Sequence, residues 1–219
     1  LILCLTLVVL GLGSQSARAA VLSDLLNGDS LIVGDKIFFN FTGFQTIAIG
    51  GADVATADEI FVTAAPGFPL GLEFSSANWS VNAGQAFAQS LQFDVGISFP
   101  LLSITSVTAE LLSFSTSPLA QINLLDDIVT ADGAETSLAS LVVGTPLGNT
   151  TATAAIGGAL DAIRVKQLLV LTADTGSASI STFTQRFTQS VVPEPSSVAL
   201  MGTGLVLGGL AWRRRCKAV

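Results

Sequence analysis

Apolar and polar residues alternate with a period of two along most of the chain. The plainest run is Leu91-Gln92-Phe93-Asp94-Val95-Gly96-Ile97-Ser98-Phe99, five apolar side chains separated by four small or polar ones. Successive side chains of a strand leave on opposite faces. The run therefore predicts a strand with one face in a core and the other in water, the habit of an antiparallel sheet. Pro100 closes it. The same alternation predicts strands over residues 36–42, 59–63, 70–75, 104–114, 119–125, 138–143, 150–156, 165–172 and 178–189. Turn clusters separate them, among them Asn27-Gly28-Asp29, Ala65-Pro66-Gly67, Asp132-Gly133 and Thr145-Pro146-Leu147-Gly148. Many short strands at this spacing predict an all-β fold, an antiparallel β-sandwich of jelly-roll or immunoglobulin-like type. Residues 22–26 read as one short helix ahead of it, and the thirteen Phe with Trp79 are expected to supply most of the aromatic core.

Two segments break the alternation. Residues 1–12 form an apolar run, too short for an anchor and suited to the core of a signal peptide. Ala17-Arg18-Ala19 follows as a small-x-small cleavage site, so Ala17 and Ala19 mark the signal-peptidase site. Residues 1–19 are then the signal peptide, and the mature chain begins at Ala20. The first residue is Leu and no basic stretch precedes the run, which places the true start upstream.

At the other end, residues 196–212 carry no charge over 17 positions, the lower limit for a helix that spans a bilayer. Gly202, Gly204, Gly208 and Gly209 are tolerated in such a helix, and Trp212 suits the headgroup level. Arg213, Arg214 and Arg215 then form a basic stop on the cytoplasmic side. Pro193 and Pro195 keep the chain extended just outside the membrane. The chain thus divides into a signal peptide (1–19), a β-sandwich cargo domain (20–190) and a C-terminal segment (191–219) holding the hydrophobic helix.

Val192-Pro193-Glu194-Pro195-Ser196-Ser197, the Gly/Leu-rich span and Trp212-Arg213-Arg214-Arg215 resemble the PEP-CTERM sorting signal. The resemblance implies a substrate of an exosortase, a membrane-embedded cysteine protease of transpeptidase type. It also implies a Gram-negative bacterium that makes extracellular polysaccharide and biofilm matrix. On that basis Pro193, Glu194 and Pro195 are the sorting and cleavage motif. Signal peptidase and exosortase are the processing partners, and extracellular polysaccharide is a further partner. The implied route runs through the inner membrane, which the C-terminal span occupies transiently or permanently, to the cell surface or matrix. Because the tag is carried by many unrelated cargo domains, it addresses a protein without specifying its work.

Two shorter stretches carry a second resemblance. Gly34-Asp35-Lys36-Ile37-Phe38-Phe39-Asn40-Phe41 is similar to the opening of many cargo domains with this tag, and Phe183-Thr184-Gln185-Arg186-Phe187-Thr188-Gln189 to their close. Physically, Gly34-Asp35 makes a turn and the Phe residues after it bury in alternation. The closing segment reads as a last strand, with Phe183 and Phe187 on one face and its polar residues on the other.

Charge and chemistry narrow the function classes. The whole chain carries −7, but residues 20–190 hold fifteen acidic side chains against Lys36, Arg164, Lys166 and Arg186, a net −11. Such a field repels nucleic acid and anionic lipid, so no nucleic-acid partner is expected. Cys4 and Cys216 both lie outside the cargo, which therefore holds no disulfide, and there is no His. Thiolate and imidazole zinc sites are excluded with them, as are Ser-His-Asp and Cys-His catalysis. Nothing near Lys36 or Lys166 supports a Ser-Lys pair. Asp58-Glu59 and Asp126-Asp127 are neighbouring carboxylates that read as solvated loop acids; on a strand they point to opposite faces and form no acid/base dyad. No phosphate-binding glycine loop occurs.

One acidic turn, with Asp126, Asp127, Asp132 and Glu135, offers hard oxygen ligands for calcium, without the alternating Asp spacing of an EF-hand. The chain is accordingly expected to be no enzyme and to need no cofactor. It reads as an exported surface or matrix protein of structural or adhesive type. The alternatives are a polysaccharide- or calcium-binding module, with Trp79 exposed on a sheet face, and a permanently anchored single-span envelope protein.

Overall fold

The computed structural model describes residues 19–99, 102–145 and 148–191, and within them the alternating segments pair as thirteen strands. In chain order these are β1 (Ala20–Val21), β2 (Leu31–Val33), β3 (Lys36–Ile49), β4 (Phe61–Ala64), β5 (Gly71–Ser75), β6 (Ser80–Asn82), β7 (Gln85–Ile97), β8 (Leu102–Thr116), β9 (Ala120–Thr130), β10 (Ser137–Gly144), β11 (Thr151–Leu160), β12 (Ala162–Ala173) and β13 (Ser177–Val191). Among the described residues a single α-helix, α1 (Leu22–Leu26), follows β1, and a 3-10 turn covers Ala57–Glu59.

All strand pairs are antiparallel, in two sheets. The seven-stranded sheet has the order β1-β4-β5-β13-β8-β11, with β6 also on β13; the six-stranded sheet has the order β10-β9-β12-β7-β3-β2. The orders β5-β13-β8-β11 and β7-β12-β9-β10 send the chain between the layers as a jelly roll does. Of the two sandwich types that strand spacing allowed, this connectivity selects the jelly roll.

The core between the layers is built on aromatic contacts. Phe93 on β7 stacks on Phe41 at 5.4 Å and meets Phe38 at 6.3 Å, both from β3. Across the layers it meets Phe74 of β5 at 5.9 Å. Phe38 also reaches Phe187 of β13 at 5.6 Å, and Phe74 stacks on Phe183 at 5.0 Å. Each such ring is buried, and each contributes on the order of 1.5–3 kcal/mol. The alternation that predicted Leu91–Phe99 as a strand is the reason Leu91, Phe93 and Val95 share the inner face.

Gly71 shows how closely β5 approaches β13. A Cβ there would run into the backbone carbonyl of Gln185 and lie 2.7 Å from the Arg186 Cα. Gly71→Ala is therefore expected to lower stability by about 1–3 kcal/mol through overpacking. The denaturant midpoint reads this directly; an unchanged midpoint means that β5 can move away freely.

Several expectations need correction. Glu59 lies in the 3-10 turn and not in a strand, because Thr56 and Glu59 close a capping box there. Asp126-Asp127 is no loop: β9 continues through it to Thr130, paired with both β10 and β12. The closing strand does not sort its polar residues to one side, since Gln185 lies on the inner face between Phe183 and Phe187 and is fully buried. The three-residue strands β2 and β6 are too short to display an alternation of their own.

Candidate functional site

The end of β13 is the last described stretch of the chain before residues 192–219. β13 lies between β5 and β8 in its sheet, and its ladder with β8 runs on to the pairs Gln189 with Ile104 and Val191 with Leu102. Phe183 and Phe187 anchor it in the core, while Val191 is exposed. A cut beyond Val191 therefore leaves every hydrogen bond among the described residues in place. Pro193, Glu194, Pro195, Arg213, Arg214, Arg215, the span 196–212 and Ala17 lie outside the described residues. Ala19 is exposed, directly ahead of β1, where Ala20 pairs with Val62. Among the described residues no helix is long and apolar enough to cross a membrane.

The four calcium candidates are not brought together. Asp126 points into the core; Asp127, on the opposite face, accepts a bond from Ser137 Oγ at 3.1 Å. Asp132 is occupied by Thr130 Oγ1 at 2.6 Å and the Ala134 amide at 3.1 Å, bonds that hold its carboxyl below the usual carboxylate range. Glu135 is engaged by two cations. Among the described residues no three His, Cys, Asp or Glu side chains gather as a metal-binding group.

Asp126 is instead a buried polar group of the core. It sits in line with Ile122, Leu124 and Ile128 and opposite Gln167 of β12. Burial pushes its carboxyl up to about 7; the Gln185 and Gln167 amides pull the value back down, although neither amide nitrogen closes a hydrogen bond. The sign follows from linkage. Below pH ~4 both folded and unfolded chains hold the proton and burial costs nothing extra. As pH rises from there to about 7, only the unfolded chain ionises, so stability falls; above about 7 the loss levels off. Asp126→Asn is expected to remove this slope and to stabilise the protein by roughly 4 kcal/mol above that point. Denaturant melts of both proteins at pH 5 and pH 8 check it: a constant difference between them at the two pH values contradicts the assignment.

Trp79 is buried, 2% exposed, so it is not the exposed platform expected of a binding face. Its ring packs on Phe183 at 5.3 Å, and its Nε1 donates to Gln89 Oε1 at 2.8 Å. Gln89 in turn donates to the Ala55 carbonyl at 2.8 Å and to Thr46 Oγ1 at 3.1 Å. The indole thus has its partner inside the core, which is what burial of Trp requires.

The outer face of the six-stranded sheet carries the one extended ionic network among the described residues. Arg164 on β12 clamps Asp94 of β7, with Nε to Oδ1 at 2.7 Å and Nη2 to Oδ2 at 3.0 Å. Asn40 Nδ2 donates to the same Oδ2 at 2.8 Å. Glu135, from the β9–β10 connection, accepts from Arg164 Nη1 at 3.0 Å and Lys166 Nζ at 2.6 Å. Asn40 (φ 54°) and Glu135 (φ 49°) are the non-glycine residues of positive φ in the described chain, and both serve this network. Held by Lys166 and then Arg164, Glu135 has its carboxyl lowered; Asp94 above all raises Arg164. Glu135 accordingly stays ionised and fully engaged, and Arg164 keeps its proton. Such a group pins register across three strands and offers no proton for acid catalysis. Sequence reasoning missed it because Asp94 and Arg164 are 70 residues apart, and only strand register brings them together.

No curated protein matches the chain. Among solved structures, it is similar to a carbohydrate-binding module of the β-sandwich superfamily described as promiscuous in specificity, at 13% identity and a TM-score of 0.32, over 73% of this chain and 58% of that one. It thus spans less than two thirds of that structure. It is also similar to a carbohydrate-binding module in complex with β-1,4-galactotriose, at 11% identity and a TM-score of 0.28, over 68% of this chain and 89% of that one. A CBM4 structure matches at 13% identity and a TM-score of 0.22, over 82% of this chain and 81% of that one. At residues 191–215 the match is to a family model, the PEP-CTERM protein-sorting motif. That motif starts on the last residue of β13, and the chain is an exported protein that carries it at the end of a β-sandwich.

Proposed function

We propose that this is a non-enzymatic surface or extracellular-matrix protein of structural or adhesive type, cut by an exosortase at Pro193-Glu194-Pro195 and delivered in connection with extracellular polysaccharide. The observation that carries the reading is the junction: the sorting motif begins on Val191, the last residue of a strand that is still paired with β8 at that point. Removal of the tail would therefore release a sandwich with its hydrogen-bond ladder and aromatic core complete. The absence of His and of Cys from the cargo, and the engagement of Glu135 and Asp94 by cations, support a binding or structural role over catalysis. Permanent anchoring through residues 196–212 is the competing reading.

Deleting the exosortase in the native host tests the proposal. The expected result is accumulation of the tailed form in the envelope and its loss from the matrix. An unchanged distribution between envelope and matrix would overturn it.

A further inference from the structure

The two edge stretches that flank the cargo domain, far apart in sequence, meet at one open cavity of about 560 Å³ beside the end of β13. Asp35 and Lys36 come from the turn that opens β3. Phe187 and Gln189 come from β13, and Phe68 and Leu70 from the β4–β5 connection. Its volume falls in the range of small-ligand sites.

Its polar groups are under-used. The Lys36 side chain is 3% exposed, and its ammonium has a single carboxylate contact, Asp35 Oδ1 at 3.2 Å. An ammonium carries three donors, and burying them unmatched is costly. Gln189 Nε2 is buried with no hydrogen-bond partner at all. Asp35 adds acceptor oxygens within the same wall. Phe68, 88% exposed, lines the same cavity, on a connection tied down by the bond from Arg186 Nη1 to the Pro69 carbonyl at 3.1 Å.

From these groups the geometry points to a binding site for a neutral saccharide chain, with Phe68 as the stacking face and Asp35, Lys36 and Gln189 as the hydroxyl-binding groups. Sugar hydroxyls donate and accept at once, which suits a wall holding a carboxylate, an ammonium and an amide together. A sugar ring presents an apolar C–H face to an exposed aromatic. Asp35 already offsets the Lys36 charge, and the domain's net −11 disfavours a polyanionic chain. The site gives the matrix role proposed above a molecular contact and rests on that reading for its cellular meaning alone. Binding in vitro is independent of processing, so the two can fail separately.

The test uses the full chain in a detergent without a sugar headgroup, titrated calorimetrically with cellohexaose, mannohexaose and xylohexaose. Hexagalacturonate and phosphatidylethanolamine/phosphatidylglycerol vesicles serve as the competing classes. Saturable binding of at least one neutral oligosaccharide is expected, weakened about tenfold or more by Phe68→Ala. Gln189→Leu should weaken it as well. Phe99→Ala, an exposed ring outside the cavity, should leave it unchanged. No binding to any neutral oligosaccharide, tighter binding of hexagalacturonate, a Phe68-dependent affinity for vesicles alone, or indifference to Phe68→Ala overturns the assignment.

Discussion

Phe93→Ala is expected to cost the sandwich about 3–5 kcal/mol, the range for removing a buried aromatic side chain. Phe93 is the ring on which both layers converge, touching Phe38 and Phe41 within its own sheet and Phe74 across the core. Its neighbours are fixed on paired strands and cannot collapse into the space left behind, so a cavity remains. A fall of that size in unfolding free energy, read from denaturant melts, is the expected outcome. A loss under 1 kcal/mol would mean that the layers close over the gap and that the aromatic cluster is not the centre of the fold. Phe93→Leu, which keeps most of the volume, should recover a large part of the loss.

Glu194→Ala is expected to have the largest effect on fate and none on folding. Glu194 is the one acidic side chain in residues 192–219, between Pro193 and Pro195 in a motif otherwise uncharged until the arginines. The protein should accumulate with its tail attached. Its unfolding midpoint should match that of the parent, because the described strand ladder is complete without Glu194. Replacing Arg213, Arg214 and Arg215 together should misdirect the protein in the same way, if residues 196–212 span the membrane as proposed and the basic cluster orients them. Normal processing and location of Glu194→Ala would sink the assignment of the motif as the recognised element.

Much of the architecture was legible because period-two alternation is a local signal. The stretch 91–99 shows it most plainly, and β7 covers nearly all of it. Where the structure departs from expectation, the pattern was often present but set aside in favour of residue type. Asp126 occupies the same parity as Ala120, Ile122, Leu124 and Ile128, and that parity alone places it in the core. Gln185 stands between Phe183 and Phe187, and Gln167 between Val165 and Leu169, for the same reason. Reading the acids as loop residues and Gln185 as outward-facing hid the polar thread through the core. Trp79 follows a similar lesson: its burial depends on Gln89, ten residues on, offering an acceptor from the inner face.

Other features were out of reach. The Asp94–Arg164 clamp requires the register of β7 on β12, and the cavity near Lys36 and Gln189 requires the first and last long strands to end at the same pole. Neither follows from spacing along one strand. The sorting address was legible for the opposite reason. It depends on composition and order within 25 consecutive residues, and no folding is needed to assemble it.

The central claim, an exported sandwich released by a cut at its C-terminal motif, is tested most directly by the intact mass of the protein recovered from its native host, with envelope and medium analysed separately. The account predicts a chain that begins at Ala20 and ends between Pro193 and Ser197, allowing for whatever group is joined there. A mass that requires the chain to run intact to Val219 in every fraction would contradict it and leave a resident, membrane-anchored protein in its place.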